Sequence, residues 1–413
     1  MTPGTGRGRV AGAAALLAAV AVSAFPARAA AEEITLAVTP AVPLYDSTAR
    51  FSGTIAPARA TGVELLRLVD GDWRPVSEGL SGADGRFALP ARVRAPAAYA
   101  VRTDAASSAQ LAVRVRPRLT AGLTGLRVLG APLFVEGRLR PGVAGTLRLT
   151  VGTRRRTVGL DAAGRFEEKL STRRAVTLDV SLRLDPAAGY APVSRAFRPR
   201  VRTPVLRIGS RGEAVEFLER RLRGLRYALP AANRAYGART RDAVLAFQKV
   251  EGLARDGVAG PQVWRRLRRA QTPAPGRARG DHVEVDKARQ VLFEVRNGRV
   301  VRIVHVSTGA TANTPVGRWR IYRKVPGWDW VLYYPLYFLR GFAIHGYPSV
   351  PAYPASHGCV RVPLWLAPRI YRRWQLGDAV WVFPTTVRTS ALWVPPAGLR
   401  EAPAPANVPL RPF

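Results

Sequence analysis

From residue 32 to about residue 202 short apolar runs alternate with turns, and no long helical period appears. The stretches 49–55, 63–68 and 85–89 read as strands, with turn residues between them. About 80 residues further on, 134–139, 145–150 and 164–166 repeat the order. Asp84-Gly85-Arg86-Phe87 against Ala163-Gly164-Arg165-Phe166 is the clearest echo. Repeats of this length built from many short strands predict two immunoglobulin-like β-sandwich modules, 32–117 and 118–202. Neither contains a titratable cluster or a metal-ligand spacing, so both read as spacers or adhesion modules without chemistry of their own.

The period then changes. After Gly209-Ser210-Arg211-Gly212, Val215, Leu218, Leu222 and Leu225 recur at three- and four-residue spacing, which predicts a helix. A second helix presents Ala243, Val244, Phe247 and Val250, and Gly260-Pro261 opens a third with proline at its first position. Residues 203–269 are therefore expected to be a small three-helix domain. The Pro/Gly-rich 270–280 is a linker. In 281–384 the pattern returns to β, with strands at 283–285, 290–295, 300–307, 319–322 and 342–345. Asn297-Gly298 forms a hairpin turn between the second and third of these strands. One helix fits 363–374, where Leu364, Ala367 and Tyr371 share a face. The expected fold class is multidomain and mainly β, closing with a mostly antiparallel domain and a proline-punctuated tail at 385–413 without regular structure.

Composition changes the picture twice. Arg7 and Arg9 precede an apolar run from 10 to 24, followed by small-residue cleavage sites at 27–31, so residues 1–31 read as an export signal; an uncleaved anchor is the alternative. No other stretch approaches the ~20 apolar residues of a membrane span. No transmembrane segment is expected after cleavage, and the protein should be secreted to the cell wall. Lys+Arg number 64 against 28 Asp+Glu, for a formal charge of +36. Export argues against nucleic acid as the anionic partner and leaves anionic wall polymers, lipid headgroups and peptide-stem carboxylates. Only four of the cations are lysine, so an arginine-rich coding bias explains the charge equally well.

Cys359 is the only cysteine, and no internal disulfide can form. His357 lies two residues before it and His345 fourteen before it. Thiolate chemistry needs a base, and imidazole titrates nearest neutrality. A lone cysteine can also be core filler. The neighbouring Gly358, the two histidines and the three prolines of the 346–355 loop favour a nucleophile. No Asp or Glu lies between Asp329 and Asp378, so a backbone carbonyl or hydroxyl is the expected orienter of the imidazole. His282, His305, His345, His357 and Cys359 have no zinc-like spacing, and no metal or cofactor is expected.

His345-Gly346 followed by Ser356-His357-Gly358-Cys359-Val360-Arg361 resembles the signature of the L,D-transpeptidases, the YkuD-type domain that cross-links peptidoglycan. The resemblance runs from 281 to 383 and includes Asp286-Lys287-Ala288-Arg289-Gln290, Ser307-Thr308-Gly309 and Thr314-Pro315-Val316-Gly317. The interval between His345 and Ser356 is ten residues, shorter than in many relatives, and Arg361 stands where some members carry Asn. Residues 206–261 similarly resemble the peptidoglycan-binding domain of secreted wall enzymes, through Tyr236-Gly237-Ala238-Arg239-Thr240, Ala246-Phe247-Gln248 and Asp256-Gly257-Val258-Ala259-Gly260-Pro261.

The resemblance implies a cofactor-free acyl transfer. Cys359 attacks a stem-peptide carbonyl and an amine from a second stem resolves the thioester. His345 acts as base, and His357 borders the substrate or oxyanion site. The oxyanion and substrate set is Gly358, Ser356, Arg361 and Gly346, with Arg361 either binding a stem carboxylate or standing as a solvated surface charge. The alternative reading is a wall-binding structural protein whose domain hydrolyses or is inactive. Trp328, Trp330, Tyr333, Tyr334, Tyr337 and Phe338 either wall the cleft or pack the core.

Overall fold

The structure is a computed structural model and describes residues 32–277 and 280–384; the expected export signal and proline-rich tail lie outside the described residues. The chain divides into two compact units, one of 32–116 with 188–191, the other holding 117–187 and the residues from 192 on.

The first unit is two antiparallel sheets. Ser47–Ala56 pairs with Arg86–Val93, with Glu33–Ile34 and with Ala37–Thr39; the second sheet runs Asp72–Leu80, Gly62–Val69, Ala97–Arg102, Leu111–Val113. Arg86–Val93 alternates strictly between exposed and buried, so Phe87, Leu89, Ala91 and Val93 face the core. The second unit opens with the same pattern. Leu133–Arg140 lies between Arg118–Gly125 and Arg165–Lys169, and a second sheet runs Arg154–Thr157, Gly145–Val151, Val180–Pro186, Ser194–Phe197. The echo extends to single atoms. Gly53 is opposite Phe87 and Gly137 is opposite Phe166. A Cβ at Gly53 or Gly137 would sit 2.7 or 2.8 Å from the aromatic Cζ, and 1.9 or 2.0 Å from the carbonyl oxygen of Thr35 or Thr120. Only glycine fits, because a neighbouring backbone carbonyl already occupies the place of a Cβ and the aromatic ring closes in behind it.

Three helices follow, α1 Glu213–Gly224, α2 Ala238–Val250 and α3 Pro261–Leu267. Val215, Leu218, Leu222, Val244, Phe247, Val263 and Trp264 are buried. Their core continues through Val291, Phe293, Val295 and Ile303 of the following domain. Backbone bonds from Ala228 N to Ile303 O and from Ile303 N to Arg226 O tie the two together. The helical segment is thus separate in sequence but not in its core.

The last domain has two sheets. One runs Arg299–His305, Val291–Arg296, His282–Asp286, Ala379–Phe383, Gly317–Arg320. Its strands read as unbroken apolar runs because both faces are covered: Val291, Phe293 and Val295 face the helices, while Val283, Val285, Leu292 and Val304 face a second core. The other sheet orders Arg323–Lys324, Leu332–Leu339, Phe342–Tyr347, Val360–Pro363. Two pairings are parallel, His282–Asp286 with Ala379–Phe383 and Phe342–Tyr347 with Val360–Pro363. The helix expected at 363–374 is shorter: Pro363 ends a strand, and α4 is Ala367–Arg373 with Pro368 in its first turn. Residues 270–277 of the linker have no regular structure yet are pinned, since Gly276 N and Arg277 N both donate to the Glu284 carboxylate at 2.8 Å.

Candidate active site

The parallel pairing of Phe342–Tyr347 with Val360–Pro363 aligns Ile344 with Val360, His345 with Arg361 and Gly346 with Val362. Side chains alternate along a strand, and aligned partners share a face. Ile344, Val360 and Val362 therefore go into the core, where all three are buried. Ala343, His345 and Arg361 take the opposite face, and Cys359 precedes the strand in step with them. The Cys359 thiol receives a hydrogen bond from the Ala343 backbone and contacts Gly341 O at 3.7 Å. Ala343 and His345 are two residues apart, roughly 6.6 Å along the strand. The apolar alternation of Ala343-Ile344-His345 and Cys359-Val360-Arg361 thus brings thiol and imidazole to one side of the sheet.

A polar scaffold holds the cysteine turn. Ser356 Oγ donates to Cys359 O at 2.6 Å and accepts from Gly358 N at 3.0 Å. Thr314 Oγ1 donates to Gly358 O at 2.7 Å and accepts from Gly309 N at 2.9 Å. Ser356 N donates to Thr308 O, and the Gln290 side chain bonds both Thr308 N and Thr308 Oγ1. Lys287 Nζ donates to the carbonyls of Ala312 and Thr314. Gly358 has φ +135, and a Cβ there would lie 2.4 Å from the Phe342 ring. The Asp286–Gln290, Ser307–Gly309 and Thr314 segments, noted in the sequence only as family likeness, are the mounting of this turn.

The charges differ from a ready-made ion pair. His345 is buried and its Nδ1 donates to Gly346 O at 2.9 Å, so Nε2 is the free acceptor. Burial pushes its pKa down to about 4; Arg361 adds to that, and the Gly346 hydrogen bond opposes it. Burial pushes the half-buried Cys359 thiol up, against the Ala343 hydrogen bond and the Arg361 charge. At neutral pH both groups are uncharged, a thiol and a neutral imidazole.

Residues 280–382 match the L,D-transpeptidase catalytic domain family, and 211–267 match a peptidoglycan binding domain family. Among solved structures, an L,D-transpeptidase from Xylanimonas cellulosilytica is 37% identical over 43% of this chain and 97% of its own, with a TM-score of 0.42. Another, from Stackebrandtia nassauensis, is 28% identical over 44% of this chain and 95% of its own, with a TM-score of 0.29. None of the curated proteins matches. The chain belongs to the L,D-transpeptidase family. Its pairing of a transpeptidase domain with a peptidoglycan binding domain supports a role in cell-wall cross-linking. Among the described residues no helix is long and apolar enough to cross a membrane.

The remaining site residues of the transpeptidase domain divide. His357 is exposed, and its carbonyl accepts from Asn313 Nδ2 at 2.8 Å. Ser356 is buried as a staple of the turn, and Gly358 N is occupied by it, which removes one donor expected for an oxyanion. A Cβ at Gly346 would lie 2.8 Å from that of Ala367 and 3.1 Å from the Tyr333 ring. Arg361 is no solvated surface charge: it is buried, its guanidinium lies 4.2 Å from the Tyr347 ring centre, and its backbone is bonded on both sides to Ser307. The aromatics split as well. Phe338 and Tyr337 are buried, whereas Trp328 and Trp330 are about half exposed. Tyr337 donates to Asp329 at 2.7 Å, and Arg323 bonds the same oxygen.

Neither Lys249 nor His305 stood out in the sequence as a site residue. Lys249 projects from α2 into the transpeptidase domain and is fully buried. Its Nζ donates to Gln290 O at 2.9 Å, Val306 O at 2.7 Å and His305 Nδ1 at 2.7 Å. His305 Nε2 in turn donates to Val350 O at 2.7 Å, in the loop between His345 and Ser356. Burial drives both groups toward their neutral forms, yet three acceptors match all three ammonium protons. The signal was lysine itself, rare in this chain and the one cation with three compact donors.

Proposed function

We propose that this chain is a secreted cysteine L,D-transpeptidase that acylates Cys359 with a peptidoglycan stem peptide and passes the acyl group to an amine acceptor. The observation that carries the reading is the parallel strand pair that sets Cys359 and a neutral His345 on one face, with Nε2 as acceptor.

The neutral pair defines the steps. As Sγ attacks the stem carbonyl, its proton passes to His345 Nε2, and the carbonyl oxygen becomes an oxyanion held by the Cys359 amide. Collapse breaks the C–N bond, and the imidazolium returns the proton to the departing D-amino acid. The acceptor amine then attacks the thioester, loses a proton to His345, and expels Cys359 as the thiol. The Gly346 carbonyl positions the imidazole where other enzymes use a carboxylate. His357, exposed at the turn, borders the substrate. Arg361 faces the same side and favours negative charge developing at the site. No metal or cofactor enters these steps.

The domain plan that accompanies this reading is an export signal at 1–31, immunoglobulin-like modules at 32–117 and 118–202, the wall-binding domain at 203–269, a linker at 270–280, the catalytic domain at 281–384 and a tail. Intact-mass measurement with defined stem peptides tests the proposal. The native chain should gain the stem mass less the terminal D-residue, and adding an amine acceptor should discharge it to a cross-linked product. Cys359→Ser should show no thioester. An acyl adduct on another residue, or release only as the hydrolysed stem, would overturn the assignment of transfer by Cys359.

A further inference from the structure

Outside the transpeptidase site, a cleft of about 740 Å³ lies between the second β module and the helical domain. Its walls are Arg173 and Arg174 on one side and Arg265, Arg266, Arg268 and Arg269, at and beyond the end of α3, on the other. Leu129, Leu253 and Ala270 add apolar surface to its lining. Glu251 is its only acid, 4.0 Å from Arg266, and burial pushes the Glu251 carboxyl up.

Coding bias accounts for many arginines but not for this arrangement. Cations outnumber acids 64 to 28 over the chain, whereas here six arginines face one glutamate. Elsewhere arginines gather on acids: Arg92 and Arg94 on Asp46, Arg220 and Arg234 on Glu216, Arg302 and Arg373 on Glu294. Two of the carbonyls near the cleft, Leu267 O and Ala270 O, are already bonded by Arg221. Six guanidinium groups held around one concavity repel one another unless an anion enters. Guanidinium forks match phosphate oxygens in bidentate pairs, and sites of this volume form at domain junctions.

We propose that this cleft binds a phosphodiester-linked anionic polymer of the cell wall, anchoring the enzyme beside the peptidoglycan it acts on. The anion is phosphate rather than carboxylate because opposed walls of guanidinium suit a repeating, strongly charged chain. The inference stands apart from acyl transfer by Cys359, since every readout below is binding.

The full chain would be titrated with poly(glycerol phosphate) over a range of salt, with polyglutamate of equal charge as the carboxylate comparison. A cleft variant, Arg173→Gln, Arg174→Gln, Arg265→Gln and Arg269→Gln, is set against Arg50→Gln, Arg74→Gln, Arg154→Gln and Arg155→Gln, which remove the same charge elsewhere. The altered side chains are all exposed, and matching melting curves would establish that both variants fold. The cleft variant should lose at least about tenfold in affinity. Its plot of log K against log salt should flatten by about 3, near 0.7 for each phosphate contact on a single-stranded polyanion. The control variant should move little, and polyglutamate should bind more weakly than the phosphodiester chain. Sacculi stripped of phosphodiester polymers with hydrofluoric acid should lose the cleft-dependent part of binding. Equal losses in the two variants would reduce the attraction to diffuse charge. Undiminished cleft-dependent binding to stripped sacculi, or equal affinity for polyglutamate, would assign the cleft to carboxylates. Either result overturns the proposal.

Discussion

The two β modules and the transpeptidase domain are both sheet structures, yet they place polar groups in opposite ways. Across 32–202 the buried polar side chains are Ser81, Thr103 and Thr172, none of them charged. The transpeptidase domain buries Asp286, Lys287, Glu294, His305, His345 and Arg361, together with a set of hydroxyls and amides. In the modules, arginine meets acid at the surface, as between Arg198 and Asp179, and the core is left to aliphatic and aromatic packing. A buried charge costs several kcal/mol unless its partners are complete. The transpeptidase domain has accepted that cost, and one group of its hydrogen bonds surrounds the turn from Ser356 to Cys359. Apolar alternation alone suffices for the modules, whereas the Cys359 turn sits in a satisfied polar frame.

The largest effect should come from the base. His345→Gln should lower transfer at neutral pH by ~10²–10⁴-fold. The pH profile of Cys359 alkylation by iodoacetamide sharpens this. Because burial holds the thiol protonated and the imidazole neutral, alkylation of the native enzyme should be slow at pH 7 and rise only above the ordinary thiol range of ~8.5. His345→Gln should leave that profile nearly unchanged while transfer collapses. Fast, pH-independent alkylation at pH 6–7 that is lost in the variant would mean a preformed thiolate–imidazolium pair.

Lys249→Met tests whether the frame extends into the helical domain. The change removes three donated hydrogen bonds and strands Gln290 O, Val306 O and His305 Nδ1. A loss of ~3–5 kcal/mol in urea unfolding is expected, the range for breaking one partner of a buried charged network. Faster amide exchange should accompany it in the 346–355 loop, which His305 holds through Val350. A loss under 1 kcal/mol with an unchanged loop would separate the helical domain from the site.

The sequence made the site's positions legible and left their support obscure. Apolar alternation located most strands and three of the helices, because each buries one face and leaves a period. The cysteine and its two histidines stood out because they are rare in the chain. The scaffold did not, since Gln290, Thr308, Thr314 and Ser356 are ordinary polar residues whose partners lie far away in sequence, Ser356 N bonding Thr308 O and Thr314 Oγ1 bonding Gly358 O. The shared core between helices and sheet was equally hidden. Val291, Phe293 and Val295 read as one face of a strand, and nothing local states what covers it. The direction of the Cys359 shift is hidden for the same reason, because burial is set by distant packing.

The next effect concerns pH. The unfolded imidazole titrates near ~6.5 and His345 in the fold near about 4, so between those values the unfolded chain binds more protons. Stability should therefore be full above pH 6.5 and fall as pH drops toward 4, by about 3 kcal/mol for this one group. Asp242, moved up to about 6 by burial, acts with the opposite sign over part of the same window. The difference between native and His345→Gln unfolding curves isolates the histidine. A difference that does not vary with pH would place the imidazole in a wetter setting than the strand pairing provides.

The smallest effect closes the comparison from the side of the modules. Arg198 and Asp179 form an ion pair at 2.8 Å with side chains 77% and 69% exposed. Such a pair gains little in water, because solvent screens the attraction and two long side chains lose freedom to meet. Arg198→Ala should move the melting temperature by no more than about 2 °C, and raising salt should leave even that shift small. Lys249→Met, one cation for one neutral residue like Arg198→Ala, is expected to cost several times more. If the two variants melted alike, the arginine excess of the modules would be structural after all, and the contrast between surface pairing and buried framing would fail. If they differ as expected, the number of charges in this protein says little about its stability, and the completeness of their partners says most of it.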